Sequence, residues 1–291
     1  MDLRDQIQTE PFLYRFNARN SAFFYFSLAK GVLPQTVVDD VSAYPVMDLL
    51  SYFFMNIVLL DPRQTESELW SISSTRQLAH LQQHLDIQVG DTLKVGIREG
   101  KRYLTEIIEI TEKTVRLKPL KEEAVPAKLP VTLIVALPRP KVLRRLIMDA
   151  ATLGVEKIIL LHSYRVDKSY WQTPFLQQLD HYIELGLEQA GDAIAPKIEL
   201  YKRFKPFVED VLPTLISTDC PAYVAHPYTD QAMPHAIQHP CSIVIGPEGG
   251  FIPYEIDLLE KNGCQARHLG NRIIRTETVI AYVLGRLFST G

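Results

Sequence analysis

The stretch CSIVIGPEGGFIPYEIDLLEKNGCQARHLGNRIIRTETVIAYVLGRLF, residues 241–288, decides the fold. Ile243, Val244 and Ile245 form a short apolar run with the character of a buried strand. The run stops at Gly246-Pro247-Glu248-Gly249-Gly250, where three glycines permit positive φ and close backbone approach. Pro253 then opens a helix with Ile256 and Leu259 on its inner face, and Asn262-Gly263 end it. The pattern repeats at once. Ala266 to Leu269 read as a strand running into Gly270-Asn271, and Thr276 is the expected N-cap of a longer helix. Val279, Ile280, Val283, Leu284 and Leu287 fall on one stripe of that helix. Two glycine-bearing turns thus leave short strands at one edge of a sheet, which is where open α/β sheets bind ligands. The first turn lacks both GxGxxG and the GK[ST] of a P-loop, and Glu248 would repel a pyrophosphate. A ligand with cationic character fits better than a phosphate.

Working upstream, Val131 to Leu137 is a continuous apolar strand of the kind parallel sheets require. A helix from about Lys141 to Leu153 follows, with Val142, Leu146, Ile147 and Ala150 inward and Gly154 as its C-cap, and then the strand Val155 to Leu161. That is one βαβ unit. Helical spacing returns at Phe175, Leu179, Tyr182 and Ile183, and again at Phe207, Val211 and Leu215, before a strand at Ala222 to Ala225. The expectation is an α/β domain of about five parallel strands over residues 126–291.

Residues 55–121 change to short strands: Leu93, Val95 and Ile97 alternate with polar residues, Gly100 marks a turn, and Ile108, Ile110, Val115 and Leu117 continue the sheet. A small β-barrel is the economical solution. Pro126 and Pro130 bracket the linker. Residues 1–54 differ from the rest, with aromatic clusters such as Phe23-Phe24-Tyr25-Phe26 and no sustained periodicity. Their apolar runs are too short to span a bilayer, and the acidic start is wrong for a signal peptide.

Composition narrows the classes. Over 291 residues, 46% apolar and 22% charged side chains exclude a disordered chain, and a net charge of −3 means that any nucleic-acid contact must come from local patches. Cys220, Cys241 and Cys264 form no CxxC pair, which fits a reducing, cytoplasmic compartment. His80 and His84 lie four apart without the Glu of HExxH or a third ligand, so no metal site is expected.

GPEGGF followed by LGNRIIRTET closely resembles the paired C-terminal signatures of the 16S rRNA (uracil-N3) methyltransferase family, within the SPOUT superfamily of knotted methyltransferases. Leu269, Gly270, Arg272, Ile273, Arg275, Thr276, Glu277 and Thr278 match the family pattern; Ile274 is conservative and Val279 replaces the usual Ala. The resemblance implies a SPOUT-type knotted parallel-sheet domain preceded by a PUA-like RNA-binding barrel, in which HLQQHLDIQVGD, residues 80–91, lines up with a family pattern. It begins near Met55, leaving residues 1–54 as an extension of unknown role unless translation starts there.

What it implies chemically is methyl transfer from S-adenosylmethionine to N3 of a uridine in small-subunit ribosomal RNA, by a homodimer. On that analogy Gly246, Pro247, Glu248, Gly249, Gly250, Leu269, Gly270, Ile274, Thr276 and Thr278 hold the cofactor or fix its loop. Uracil N3 must lose a proton, and a preorganised guanidinium would stabilise the resulting charge. Arg275, at the helix entrance, is the first candidate and Arg272 the second; either could instead tie the loop to Glu248 or Glu277. Arg98, Lys101 and Arg102 in the barrel, with Arg139 and Arg165, are the expected RNA contacts. Asp86, Asp149 and Asp192 stand where the family is usually basic. Each lost phosphate contact would flatten the salt dependence of RNA binding by about 0.7–0.9 units of slope. Those three residues motivate a competing reading, a divergent SPOUT protein with another RNA target or a non-catalytic RNA-binding or ribosome-assembly protein on the same fold.

Overall fold

A computed structural model describes residues 56–288; the expectations for residues 1–54 lie outside it. The first sheet is built from β1 (Val58–Leu60), β2 (Trp70–Ile72), β3 (Thr92–Ile97), β4 (Arg102–Ile110) and β5 (Val115–Glu123), in the order β1-β3-β4-β5-β2. Only the β1–β3 pairing is parallel; the other three are antiparallel. A helix, α1 (Thr75–His84), joins β2 to β3. Val95, Ile107, Val115 and Leu117 alternate with polar neighbours and are fully buried, the period-two pattern of a half-buried sheet.

The second sheet is six-stranded and all parallel, one strand more than expected. Its strands are β6 (Leu129–Ala136), β7 (Val155–Leu161), β8 (Lys197–Tyr201), β9 (Ala222–Ala225), β10 (Cys241–Ile245) and β11 (Cys264–Arg267), in the order β11-β9-β10-β6-β7-β8. The additional strand is β8, Lys-Ile-Glu-Leu-Tyr. It lies at the sheet edge, is only partly buried, and so lacks the apolar run that marks its neighbours. Helix α2 (Pro140–Thr152) buries Val142, Leu146, Ile147 and Ala150 as expected, and Gly154 follows its last turn in a left-handed conformation, φ +75°. It packs on α3 (Leu179–Ala190) so closely that a Cβ at Gly186 would come within 2.5 Å of the Met148 carbonyl oxygen. A single α turn, α4 (Phe204–Pro206), continues through a π turn (Phe207–Val211) into a 3₁₀ turn (Leu212–Leu215). α5 (Pro253–Lys261) and α6 (Thr276–Leu287) complete the chain. All five stripe residues of α6 are buried, and α6 packs on α2.

One strand of the first sheet feeds both cores. Val58 and Leu60 of β1 enter the core of the first sheet, whereas Leu59 between them enters the core of the second. Its partner in register, Gly96, has no room for a side chain: a Cβ there would meet Leu59 Cδ2 at 2.8 Å and Ala193 Cβ at 3.1 Å. Polar groups follow the same seam. The Asn56 and Ile57 amides donate to the Glu188 carbonyl at 3.0 and 3.3 Å, the Glu99 amide donates to the Ala193 carbonyl at 2.9 Å, and Arg76 forms an ion pair with Glu188 at 2.6 Å.

The strand order is what positions the site. β9 lies between β10 and β11, so the segments leaving the carboxyl ends of these three strands emerge side by side.

Candidate active site

The first bend follows β10. Gly250, at φ +72°, closes it by donating its amide to the Pro247 carbonyl at 2.8 Å. At Gly246 a Cβ would press on the Phe251 ring at 3.1 Å, and that ring is buried against Phe204. Pro253 is the first residue of α5, where a missing N–H costs nothing. The buried Glu255 carboxylate accepts from the Ile252 amide at 3.0 Å and from the Tyr164 amide at 2.8 Å, joining the start of α5 to the segment after β7. Its charge sits at the favourable end of the helix dipole.

The second bend follows β11, which runs from Cys264 to Arg267 rather than through Leu269. At His268 the backbone turns away to exchange hydrogen bonds with Gln231 and Met233, both at 2.8 Å. Gly270 adopts φ +111°, and its amide donates to His268 Nδ1 at 3.1 Å. The helix begins one residue earlier than a Thr276 N-cap would place it. Arg275 holds the cap position, and its carbonyl accepts from the Thr278 and Val279 amides at 2.9 and 3.0 Å. Thr276 is the first helical residue and is buried.

A third segment, residues 226–233, leaves β9 and was not expected at the site. His226, Pro227 and Tyr228 have no periodicity to mark them, although the rule that ligands collect at the carboxyl ends of parallel strands points to them once β9 is placed between β10 and β11. Burial holds the His226 imidazole below its ordinary pKa, with Glu260 opposing the shift.

The three segments enclose one hollow of about 510 Å³, within the range of small-molecule sites. Gly246, Pro247, Glu248, Gly249, Gly250, Leu269, Gly270, Ile274 and Thr276 all line it, as do Arg272 and Arg275; Thr278 does not. Arg139, at the start of α2, and Arg165, after β7, line it as well. Arg139 donates to Glu248 Oε1 from both its backbone amide and its Nε, each at 3.1 Å. The carboxylate of the first bend is therefore engaged by Arg139. Arg165 donates to the Gly249 carbonyl. Among the described residues no carboxylate lies within ion-pair distance of Arg272. Four arginines line the hollow, and Glu248 is the single carboxylate-bearing residue among its described lining residues.

The remaining basic candidates lie on the first sheet. Arg98 pairs with Glu184 at 3.4 Å and Lys101 with Glu122 at 2.6 Å. Arg102 is committed inward, donating to the Gly191 carbonyl at 2.5 Å and to the Ala124 carbonyl. The three aspartates separate in the same way. Asp86 is exposed, with φ +44°. Asp149 is exposed on α2, where desolvation by its surroundings raises its carboxyl above the ordinary value against the pull of Arg145. Asp192 is only 2% exposed. Among the described residues no group of three or more His, Cys, Asp or Glu side chains could hold a metal ion.

Residues 125–288 match the family model described as an RNA methyltransferase domain. The chain is similar to the ribosomal RNA small subunit methyltransferase E of Treponema pallidum, 27% identical over 77% of this chain and 87% of the relative. It is also similar to the protein of that name from Synechocystis, 26% identical over 90% and 87%. Among solved structures it is similar to a ribosomal RNA small subunit methyltransferase E of Neisseria gonorrhoeae bound to S-adenosylmethionine. The TM-score is 0.64 and the identity 18%, over 80% of this chain and 97% of that one. The likeness to that structure is one of fold.

Proposed function

Because this chain belongs to the RNA methyltransferase domain family, we propose that it transfers a methyl group from S-adenosylmethionine to N3 of a uridine in small-subunit ribosomal RNA. The observation that carries the reading is the convergence of the bends after β9, β10 and β11 on one backbone-lined hollow rimmed by four arginines.

The residues present suit the cofactor. Gly250 and Gly270 hold positive φ with open space where a Cβ would stand, so no side chain from either residue stands between the bend and the hollow it lines. The bends Gly246 to Gly250 and Leu269 to Ile274 would hold the donor, with Thr276 buried beside them, and the Glu248 carboxylate is held in place by Arg139. S-adenosylmethionine supplies an electrophilic methyl group. The chain's own contribution is to position the acceptor and to manage its charge. Arg275, at the entrance of α6, stabilises the negative charge that spreads over the base oxygens as N3 gives up its proton to solvent, and Arg272 is the second such group.

The six-stranded sheet is read as a SPOUT-type knotted domain over residues 126–291. The five-stranded sheet, which runs two residues past the expected boundary at 121 to Glu123, is read as a PUA-like barrel, with the ion-paired Arg98 and Lys101 as its RNA-facing cations. Exposed Tyr282 and Leu153, on the packed helices α6 and α2, suit a homodimer. Among the described residues no helix is long and apolar enough to cross a membrane.

Two measurements test the reading. Calorimetric titration with S-adenosylmethionine checks the hollow, and mass spectrometry of ribosomal RNA from a deletion strain checks the product. Loss of one N3-methyluridine is the expected result. An unchanged nucleoside profile alongside measurable cofactor binding would instead favour a non-catalytic role on RNA.

A further inference from the structure

Tyr228 is 81% exposed yet lines the hollow, an unusual placement for a large ring. Its ring meets that of His226 edge to face, with centroids 5.5 Å apart and planes at 77°. The segment that carries it is fastened near both ends to the end of β11. The His226 amide donates to the Arg267 carbonyl at 3.0 Å, and the Met233 amide to the His268 carbonyl at 2.8 Å. The same strand delivers Leu269 and Gly270, so the position of the Tyr228 segment is set by the element that shapes the second bend.

A base that undergoes chemistry must leave its stack, and an exposed aromatic face recovers part of the stacking it loses. The other side chains at the hollow are the arginines, Glu248, Thr276, aliphatic groups, the buried Phe251 ring and the half-buried His226 imidazole; Tyr228 is the exposed aromatic face among the described lining residues. We propose that Tyr228 is the stacking platform for the acceptor nucleobase, holding a pyrimidine in the hollow it shares with Arg272 and Arg275. This deepens the methyl-transfer reading and rests on it. The adenine of the donor is also a flat π face, but a bound cofactor has most of its surface enclosed. Tyr228 is the open part of the hollow, where a base arriving from outside would land. The ring moves no proton; its role is to position the base.

The test uses the full chain with Tyr228→Ala, Tyr228→Phe and Tyr164→Ala. Tyr164 is 77% exposed but does not line the hollow. Three quantities are read: calorimetric affinity for S-adenosylmethionine, direct affinity for transcribed small-subunit ribosomal RNA at fixed salt, and kcat and KM for methyl transfer to that RNA. Tyr228→Ala is expected to weaken RNA binding and raise the RNA KM by about 5- to 100-fold, the scale of one lost base stack. Cofactor affinity stays unchanged, Tyr228→Phe restores the wild-type values, and Tyr164→Ala leaves them alone. An unchanged RNA KM in Tyr228→Ala overturns the inference. So does a loss confined to cofactor affinity, which would assign the ring to adenine, or an equal loss in Tyr164→Ala, which would make both rings general RNA contacts. A wild-type chain that transfers no methyl group overturns the parent reading and this one with it.

Discussion

The Lys128 ammonium lies 2.6 Å from a carboxylate oxygen of Asp192, and both side chains are largely out of water, 16% and 3% exposed. The other Asp192 oxygen accepts from the Ala193 and Ile194 amides at 2.7 and 3.1 Å. A residue so enclosed makes no phosphate contact. The aspartate that stands where the resembled family is basic is therefore a packing element with its own partner, not a lost RNA grip.

Removing one member of this pair leaves a charge stranded away from solvent. Lys128→Met is expected to cost about 2–4 kcal/mol, slightly below the range for a fully buried pair because Lys128 keeps some exposure. Asp192→Arg, which restores the family's charge, should destabilise at least as much and should not tighten RNA binding. Urea denaturation with a parallel RNA titration checks both. A stable Asp192→Arg chain with stronger RNA affinity would return Asp192 to the RNA face.

Arg275→Ala should lower kcat by about 10²- to 10³-fold, the usual effect of deleting a preorganised donor at a developing anion. Its cofactor affinity by calorimetry should stay within about twofold of wild type, because interactions made only in the transition state do not set ground-state binding. Arg272→Ala is the comparison. A wild-type rate in Arg275→Ala removes that residue from the chemistry.

Gly270→Ala and Gly249→Ala separate backbone strain from crowding. At Gly270 a Cβ meets nothing within 4 Å, so the penalty comes from φ +111°, and about 1–3 kcal/mol of strain should move the bend and weaken cofactor binding. At Gly249 the nearest atom is Arg165 Cδ at 3.1 Å, the stem of a flexible side chain that can yield, so the effect should be small. Calorimetric titration of each variant with S-adenosylmethionine reads the difference. Equal losses would mean that space, not conformation, governs the bends.

Burial raises the Cys241 and Cys264 thiols to about 12 from an ordinary value of 9.0. Cys220, partly exposed, is raised as well, by desolvation and then by Glu156. Native protein at pH 8 should react slowly with a thiol-specific reagent, and first at Cys220. The folded state binds these protons more tightly than the unfolded chain. The associated stability is therefore complete below about pH 9 and drains away as the pH rises from there towards 12. Denaturation midpoints across that window check the sign.

The periodic parts of the chain were legible in its sequence. Ile243 to Ile245, the entry at Pro253, and the stripe from Val279 to Leu287 are patterns that backbone geometry imposes, and all are found in place. The two glycine bends were legible because only glycine tolerates their φ at little cost. What could not be read depends on neighbours distant along the chain. Lys128 reaches Asp192 across 64 positions. The segment 226–233 becomes part of the hollow only because β9 is inserted between β10 and β11. Thr276 has the chemistry of a cap, but the turn after Gly270 brings Arg275 to that position.

Strand β1 roots alternate residues in two cores, so truncating Leu59 opens a cavity beside the six-stranded sheet, while truncating Val58 or Leu60 opens one beside the five-stranded sheet. Three consecutive positions thus report on the two cores separately.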